Sequence, residues 1–249
     1  MLTTILFFLA ALICEILGTL GGFGSSVFFV PVAQFFYSFQ LVLGITSLLH
    51  VFSNISKLLL FGKHINYRLM YFYGVPGVLL VLAGAYFTTQ VKLEFAQLAL
   101  GIFLVLFSIV LLYYDNLKLK ATQGSAVISG GLAGLIAGFC GTGGAIRGIS
   151  MAAFALPKSV FVATSAAIDL GIDVSRSIVY VQHNYFTRDL LWMLPYLMVI
   201  SYVGSYIGKK WLERIPEATF RKVVLLLVLS VGSVILYQEI SLLLYGYLQ

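Results

Sequence analysis

The chain has 249 residues, of which 61% are hydrophobic and only 10% charged, with a mean hydropathy of +1.03. These values exclude a soluble domain, and no hydrophilic stretch is long enough to form one beside the membrane. The formal net charge of +6 does not point to nucleic acid, because Lys and Arg stand singly or in pairs at the ends of apolar segments, where membrane topology explains them.

The apolar runs are continuous rather than alternating, which argues against a β-barrel and for an all-α polytopic membrane protein in a single membrane domain. The opening run, "MLTTILFFLAALICEILG", has no basic residue before it, so a cleaved signal is not expected and the run is read as the first structural element. It continues to about residue 37 but is broken by glycine in "GTLGGFGSS", Gly18 to Ser26. Three spans follow, at about 41–61, 67–88 and 95–114, then a polar linker ending at residue 125. A second broken segment at about 126–156 leads to spans at about 160–181, 189–208 and 218–238.

The two halves match when shifted by roughly 120 positions. Gly18, Gly21 and Gly24 fall on Gly138, Gly141 and Gly144, and "GITS" (Gly44 to Ser47) falls near "VATS" (Val162 to Ser165). His64 falls on His183, Pro76 on Pro195, and "GAYF" (Gly84 to Phe87) on "GSYI" (Gly204 to Ile207). Repeat 1 is therefore set at 1–114, the linker at 115–125 and repeat 2 at 126–249. If each broken segment crosses once, the repeats are parallel and the basic residues divide evenly between the two sides. If each dips in and returns as a re-entrant hairpin, the second repeat is inverted. Lys63, Arg68, Lys118, Lys120, Lys158, Lys209, Lys210, Arg214, Arg221 and Lys222 then share one side, against Lys92 and Arg188 on the other. The positive-inside rule favours the second arrangement, with both termini outside.

Interrupted helices in inverted repeats are the architecture of secondary transporters, with the site where the breaks meet. Gly21, Gly22 and Gly24, and Gly141, Gly143 and Gly144, permit positive φ and close backbone approach. The N–H groups near Ser25 and Ser26, and near Ala145 to Arg147, then face the break with positive dipole character, which suits an anion. The alternative is that these glycines serve close helix packing. On the following helix of repeat 2, Asp169, Asp173 and Arg176 share one face, and His50, Asn54 and Lys57 stand at the matching positions of repeat 1. Ionisable groups inside a span are costly and usually face a cavity in pairs. Arg147 or Arg176 is expected to meet the substrate, and Asp169, Asp173 and His50 to move a proton or balance charge; the alternative for Asp173 and Arg176 is a purely structural pair. Glu15 is either a proton carrier or the partner of Lys57 or Arg147. Thr46, Ser47, Thr164 and Ser165 are either oxyanion donors or N-caps of their helices.

No HExxH, CxxC, GxSxG or P-loop lysine pattern is present, so no enzyme activity, cofactor or metal is expected. Cys14 and Cys140 lie in apolar segments and read as core filler, although Cys140 beside the second break admits a sulfur-transfer reading. The intramembrane carboxylates admit a cation or metal transporter as another. Oligomeric state is not legible.

Taken together, "GTLGGFGSSVFFVP" (Gly18 to Pro31), "GFCGTGGAIRGISMAAFALP" (Gly138 to Pro157), "ATS" (Ala163 to Ser165) and "VGSYIGKKWLERIPEATFRK" (Val203 to Lys222) resemble the sulfite exporter TauE/SafE family over essentially the whole chain. The resemblance implies a prokaryotic inner-membrane transporter of small sulfur-containing or organic anions such as sulfite, thiosulfate and sulfonates. Its expected partners are that anion, the lipid bilayer and a coupling proton. The chain departs from the family in "GGFGSS", where a run of three glycines is common, and in "DLGIDVSR", Asp169 to Arg176.

Overall fold

Helices form wherever the apolar runs are unbroken and stop where glycine or a polar pair intervenes. The computed structural model describes residues 2–21, 24–113, 121–152, 154, 156–212, 226, 229–230 and 232–241, and all its regular structure is helical. In chain order these are α1 (Leu2–Gly21), α2 (Ser26–Ala33), α3 (Phe39–Phe61), α4 (Tyr67–Gln90), α5 (Leu93–Tyr113), α6 (Gln123–Cys140), α7 (Gly144–Ala152), α8 (Lys158–Gln182) and α9 (Met193–Leu212). Residues 232–241 form a further helical stretch against α5, where Gly101 and Gly232 admit the packing of Leu236 and Leu104. Among the described residues, four helices are long and apolar enough to cross a membrane, α1, α3, α4 and α6. Large apolar side chains such as Leu79, Tyr86 and Val199 are exposed, as expected of surfaces facing lipid.

Both broken segments appear as a long helix followed by a short one. Gly141, with φ +76°, takes the left-handed backbone that caps α6, and Gly24, with φ +80°, takes the same backbone just before α2, a conformation other residues adopt at a cost. The chain doubles back at each break: Gly18 of α1 lies against the backbone of Ser25, and Gly143 lies against Ala133 and Ala137 of α6. The first arms, 20 and 18 residues, are full-length helices, whereas α2 and α7 have 8 and 9 residues.

Packing pairs helices from opposite halves of the chain. Gly130, Gly134 and Gly138, one turn apart on α6, press against the backbone of Tyr73, Gly77 and Val81 on α4 in a parallel seam of the small-residue kind. The matching seam joins α1 to α9, where Gly204 meets Glu15 and Gly208 meets Thr19. α3 and α8 run antiparallel: Gly44 near the start of α3 meets Tyr185 past the end of α8, and the Asn66 N–H beyond α3 donates to Thr164 Oγ1 at 2.9 Å near the start of α8. Two packed bodies result. One holds α1, α2, α3 and α9 with most of the larger apolar core; the other holds α4, α6, α7 and α8 around Tyr73, Val81, Ala133, Met151, Ile168 and Ile172. They meet along α3 and α8.

Thr46, Ser47, Thr164 and Ser165 are not N-caps. α3 begins after Ser38 and α8 after Pro157, which leaves all four inside their helices. The spans expected from about 41 and 160 start two residues earlier, at Phe39 and Lys158, well before these hydroxyl residues. Gly22, expected at the first break, lies outside the described residues, as do Lys118, Lys120, Arg214, Arg221 and Lys222.

Candidate anion site between the helix breaks

The two breaks come together, and an arginine meets each. The Arg147 guanidinium, carried on α7, reaches across to the first break, where Nη2 lies 3.3 Å from the point a Cβ on Gly24 would occupy. Arg176 of α8 turns to the second break, with Nη1 donating to the carbonyls of Gly141 at 2.8 Å and Ala137 at 3.2 Å. These are the carbonyls that a terminating helix leaves without partners, so Arg176 closes the exposed end of α6.

Arg147 also borders a small, partly open cavity, together with Gly24, Lys57, Asn54, Ser165 and Asp169. Gly18 and Thr19 of α1 and Phe161, Val162 and Ala166 of α8 complete the lining. Its volume is about 20 Å³, counted as space open to the centre of a water molecule, which is room for one water and not for an oxyanion. Nε of Arg147 donates to Ser165 Oγ at 2.8 Å and Nη1 to the carboxylate of Asp169. Thr19 Oγ1 is buried and has no hydrogen-bond partner among the described residues.

A second polar group lies beside the first. Glu15, fully buried on α1, faces the Lys57 ammonium at 3.0 Å and accepts hydrogen bonds from Ser25 at 2.5 Å, Ser53, and Ser205 at 3.3 Å. Of its two candidate partners Glu15 therefore takes Lys57. Ser25 spends its one hydroxyl proton on Glu15 and so accepts from His50 Nε2 at 3.0 Å, which puts the imidazole proton on Nε2 and leaves Nδ1 3.7 Å from Asp173. Asp173 accepts from Arg176 Nε at 2.8 Å and Nη2 at 2.7 Å, and from Asn54 Nδ2 at 2.7 Å. The Asn54–Asp173 contact joins the middle of α3 to the middle of α8.

Of the residues singled out in the sequence, Gly24, Lys57, Arg147, Ser165 and Asp169 come together around the cavity, and Glu15, Ser25, His50, Asp173 and Arg176 form the adjoining network. Gly141 joins through Arg176. Thr46, Ser47, Thr164, Ser26, Gly21, Gly143 and Gly144 are not among the lining residues. Ser47 bonds back to Gly44, Thr164 accepts from Asn66, and Gly143 serves packing against α6. Cys140 is buried beside the second break, away from the cavity lining. Sequence reasoning missed Thr19, Ser53 and Ser205. Ser53 stands one turn from Lys57 on the face already carrying His50, a signal that was available. Ser205 reaches Glu15 only through the α1–α9 contact, and Thr19 borders the cavity only through the way α1 packs, neither of which a local pattern announces.

The family described as sulfite exporter TauE/SafE matches residues 6–235, nearly the whole chain, and the chain belongs to that family. Membership and the apolar helices together make it a multi-pass membrane protein of a transporter family. No curated protein matches it.

Proposed function

We propose that this TauE/SafE family member is a secondary transporter that moves a small sulfur-containing anion, such as sulfite, thiosulfate, a sulfonate or a similar organic anion, across the inner membrane by alternating access, coupled to protons. The observation that carries the reading is Arg147, a buried arginine held at the meeting of two helix breaks beside a cavity it shares with Lys57. A guanidinium fork there suits a planar or pyramidal oxyanion. Arg176, whose donors are occupied by Asp173 and two carbonyls, braces the second break instead. Glu15, His50, Lys57, Asp169 and Asp173 balance charge or move the coupling proton. Each of the three carboxylates is engaged by a cation, an arrangement better suited to passing an anion than to gathering a metal.

Repeats 1–114 and 126–249 are inverted, with each break in a re-entrant hairpin of one long and one short arm. Supporting this, α3 and α8 are antiparallel although they hold matching places in the repeats, and α4–α6 and α1–α9 make equivalent parallel seams. Lys63, Arg68, Lys209 and Lys210 gather at one end of the bundle, with Lys209 Nζ donating to the Leu60 carbonyl at 3.1 Å. Lys92 and Arg188 flank the other, where Tyr185 bonds the Thr88 carbonyl. Both termini are then outside, and a terminal tag found in the cytoplasm would overturn the inverted arrangement.

Purified protein in liposomes is expected to take up labelled sulfite, thiosulfate or a sulfonate under a pH gradient, and Arg147→Ala to abolish uptake while helical content is kept. Failure to move any sulfur anion would end the reading.

A further inference from the structure

Arg147 divides its donors among different partners. Nη1 is taken by the Asp169 carboxylate and Nε by Ser165, whereas Nη2 makes no hydrogen bond to the described residues and faces the cavity beside Gly24. The Thr19 hydroxyl, 2% exposed, borders the same space without a hydrogen-bond partner among the described residues. One ready guanidinium donor and one free hydroxyl thus flank a space closed by a carboxylate, itself an oxyanion.

Resting on the transport reading above, we infer that Asp169 is a tethered competitor for Arg147, which the transported anion displaces and which then takes up a proton. The groups around Asp169 decide where that proton goes. On α3, Lys57 is committed to Glu15 of α1, and His50 to Ser25. On α8 itself, Arg176 is committed to Asp173, and on α4 the Tyr73 hydroxyl pairs with Ser150. Among the described residues no cation other than Arg147 lies within salt-bridge distance of Asp169.

Charge balance makes the same demand. Lys57, Arg147 and Arg176 face Glu15, Asp169 and Asp173, so the buried set is neutral with His50 uncharged. An entering anion adds a negative charge to an interior where an unpaired charge is costly. In the step, the Arg147–Asp169 ion pair breaks, an ion pair between Arg147 and the anion forms, and a proton from bulk water adds to an Asp169 oxygen. One negative and one positive charge enter together, and both leave on release. Gly24 has its place in this, because any Cβ there would stand against the nitrogen that receives the anion.

Calorimetric titration of the purified full chain with methanesulfonate and with thiosulfate, in buffers of different ionisation heat, counts protons taken up per anion. Both anions are fully ionised across the range, so the protons are taken by the protein. Asp169→Asn is expected to take up one proton fewer per anion than wild type and, freed of its competitor, to bind roughly tenfold more tightly. Equal proton uptake by the two proteins overturns the inference and leaves the transport reading standing; no binding of either anion by either protein overturns both. Should Asp169→Asn fail to fold, wild-type infrared difference spectra with carbon-13-labelled aspartate decide. A protonated aspartate carbonyl band on anion binding supports the inference, and none overturns it.

Discussion

The pairing of Glu15 with Lys57 makes a quantitative demand on stability. Glu15 is fully buried and Lys57 nearly so, their charged atoms are 3.0 Å apart, and three serines complete the carboxylate's hydrogen bonds. Glu15→Gln preserves size and an accepting oxygen for the serines but leaves the Lys57 ammonium buried without its counter-charge. Breaking one side of such a pair costs about 3–5 kcal/mol. Lys57→Met costs a similar amount by stranding the carboxylate. Removing both charges together leaves no uncompensated ion, so the double variant should return to within about 1 kcal/mol of wild type. Unfolding in mixed detergent micelles, followed by helical circular dichroism, measures all four corners of the cycle. Arg147→Met is the control: combined with Glu15→Gln it should add its own loss and rescue nothing. Additive losses in the Glu15→Gln, Lys57→Met double variant would refute the pairing.

The α4–α6 seam predicts that Gly134→Ala, whose new methyl would meet the Gly77 backbone, costs about 1–3 kcal/mol, while Gly62→Ala, whose methyl would meet only Leu58 at 4.0 Å, stays within about 0.5 kcal/mol in the same assay. Gly24→Ala forces a left-handed residue to carry a side chain and should cost about 1–2 kcal/mol, while also pressing on Arg147 and reducing anion uptake. Arg147→Lys keeps the charge but cannot hold Ser165 and Asp169 from one fork, so uptake should fall about tenfold or more; unchanged uptake would show that only the charge matters.

Glycine and charge carried most of what the sequence could say. The breaks at Gly24 and Gly141 were legible because glycine clusters recur at one offset in both halves, and the polar face of α8 because ionisable residues are rare in such a chain. The partition of the glycines was not. Gly138 was aligned with the break residues, yet it belongs with Gly130 and Gly134 to the packing seam, which spacing by four residues in "GGLAGLIAG" already signals. Nor could the sequence assign Glu15, because its partner lies 42 positions away on α3 and is chosen by how α1 packs. Arg147 and Arg176 were interchangeable on paper. They were told apart only by direction, one arginine turning to the cavity and the other to the open end of α6.

The division of the buried charges among the packed bodies bears on how the cavity can open. The Lys57–Glu15 pair joins α3 to α1, within the body that includes α9; Arg147–Asp169 and Arg176–Asp173 join α7 and α8, within the body that includes α4 and α6. Between the bodies the polar contacts among the described residues pair no two opposite full charges closely: the Asn54 amide donates to the Asp173 carboxylate, His50 Nδ1 lies 3.7 Å from Asp173, and the Asn66 N–H donates to Thr164. Sliding one body against the other therefore exchanges ordinary hydrogen bonds, worth about 0.5–1.5 kcal/mol net each, or up to about 3 where a charged carboxylate accepts, and strips no ion pair. The seams at α4–α6 and α1–α9, which would resist such a motion, lie inside the bodies and move with them. On the proposed transport cycle, a movement that admits an anion is thus inexpensive in charge, and the ion pair it has to open, Arg147 with Asp169, is the one the anion itself would replace.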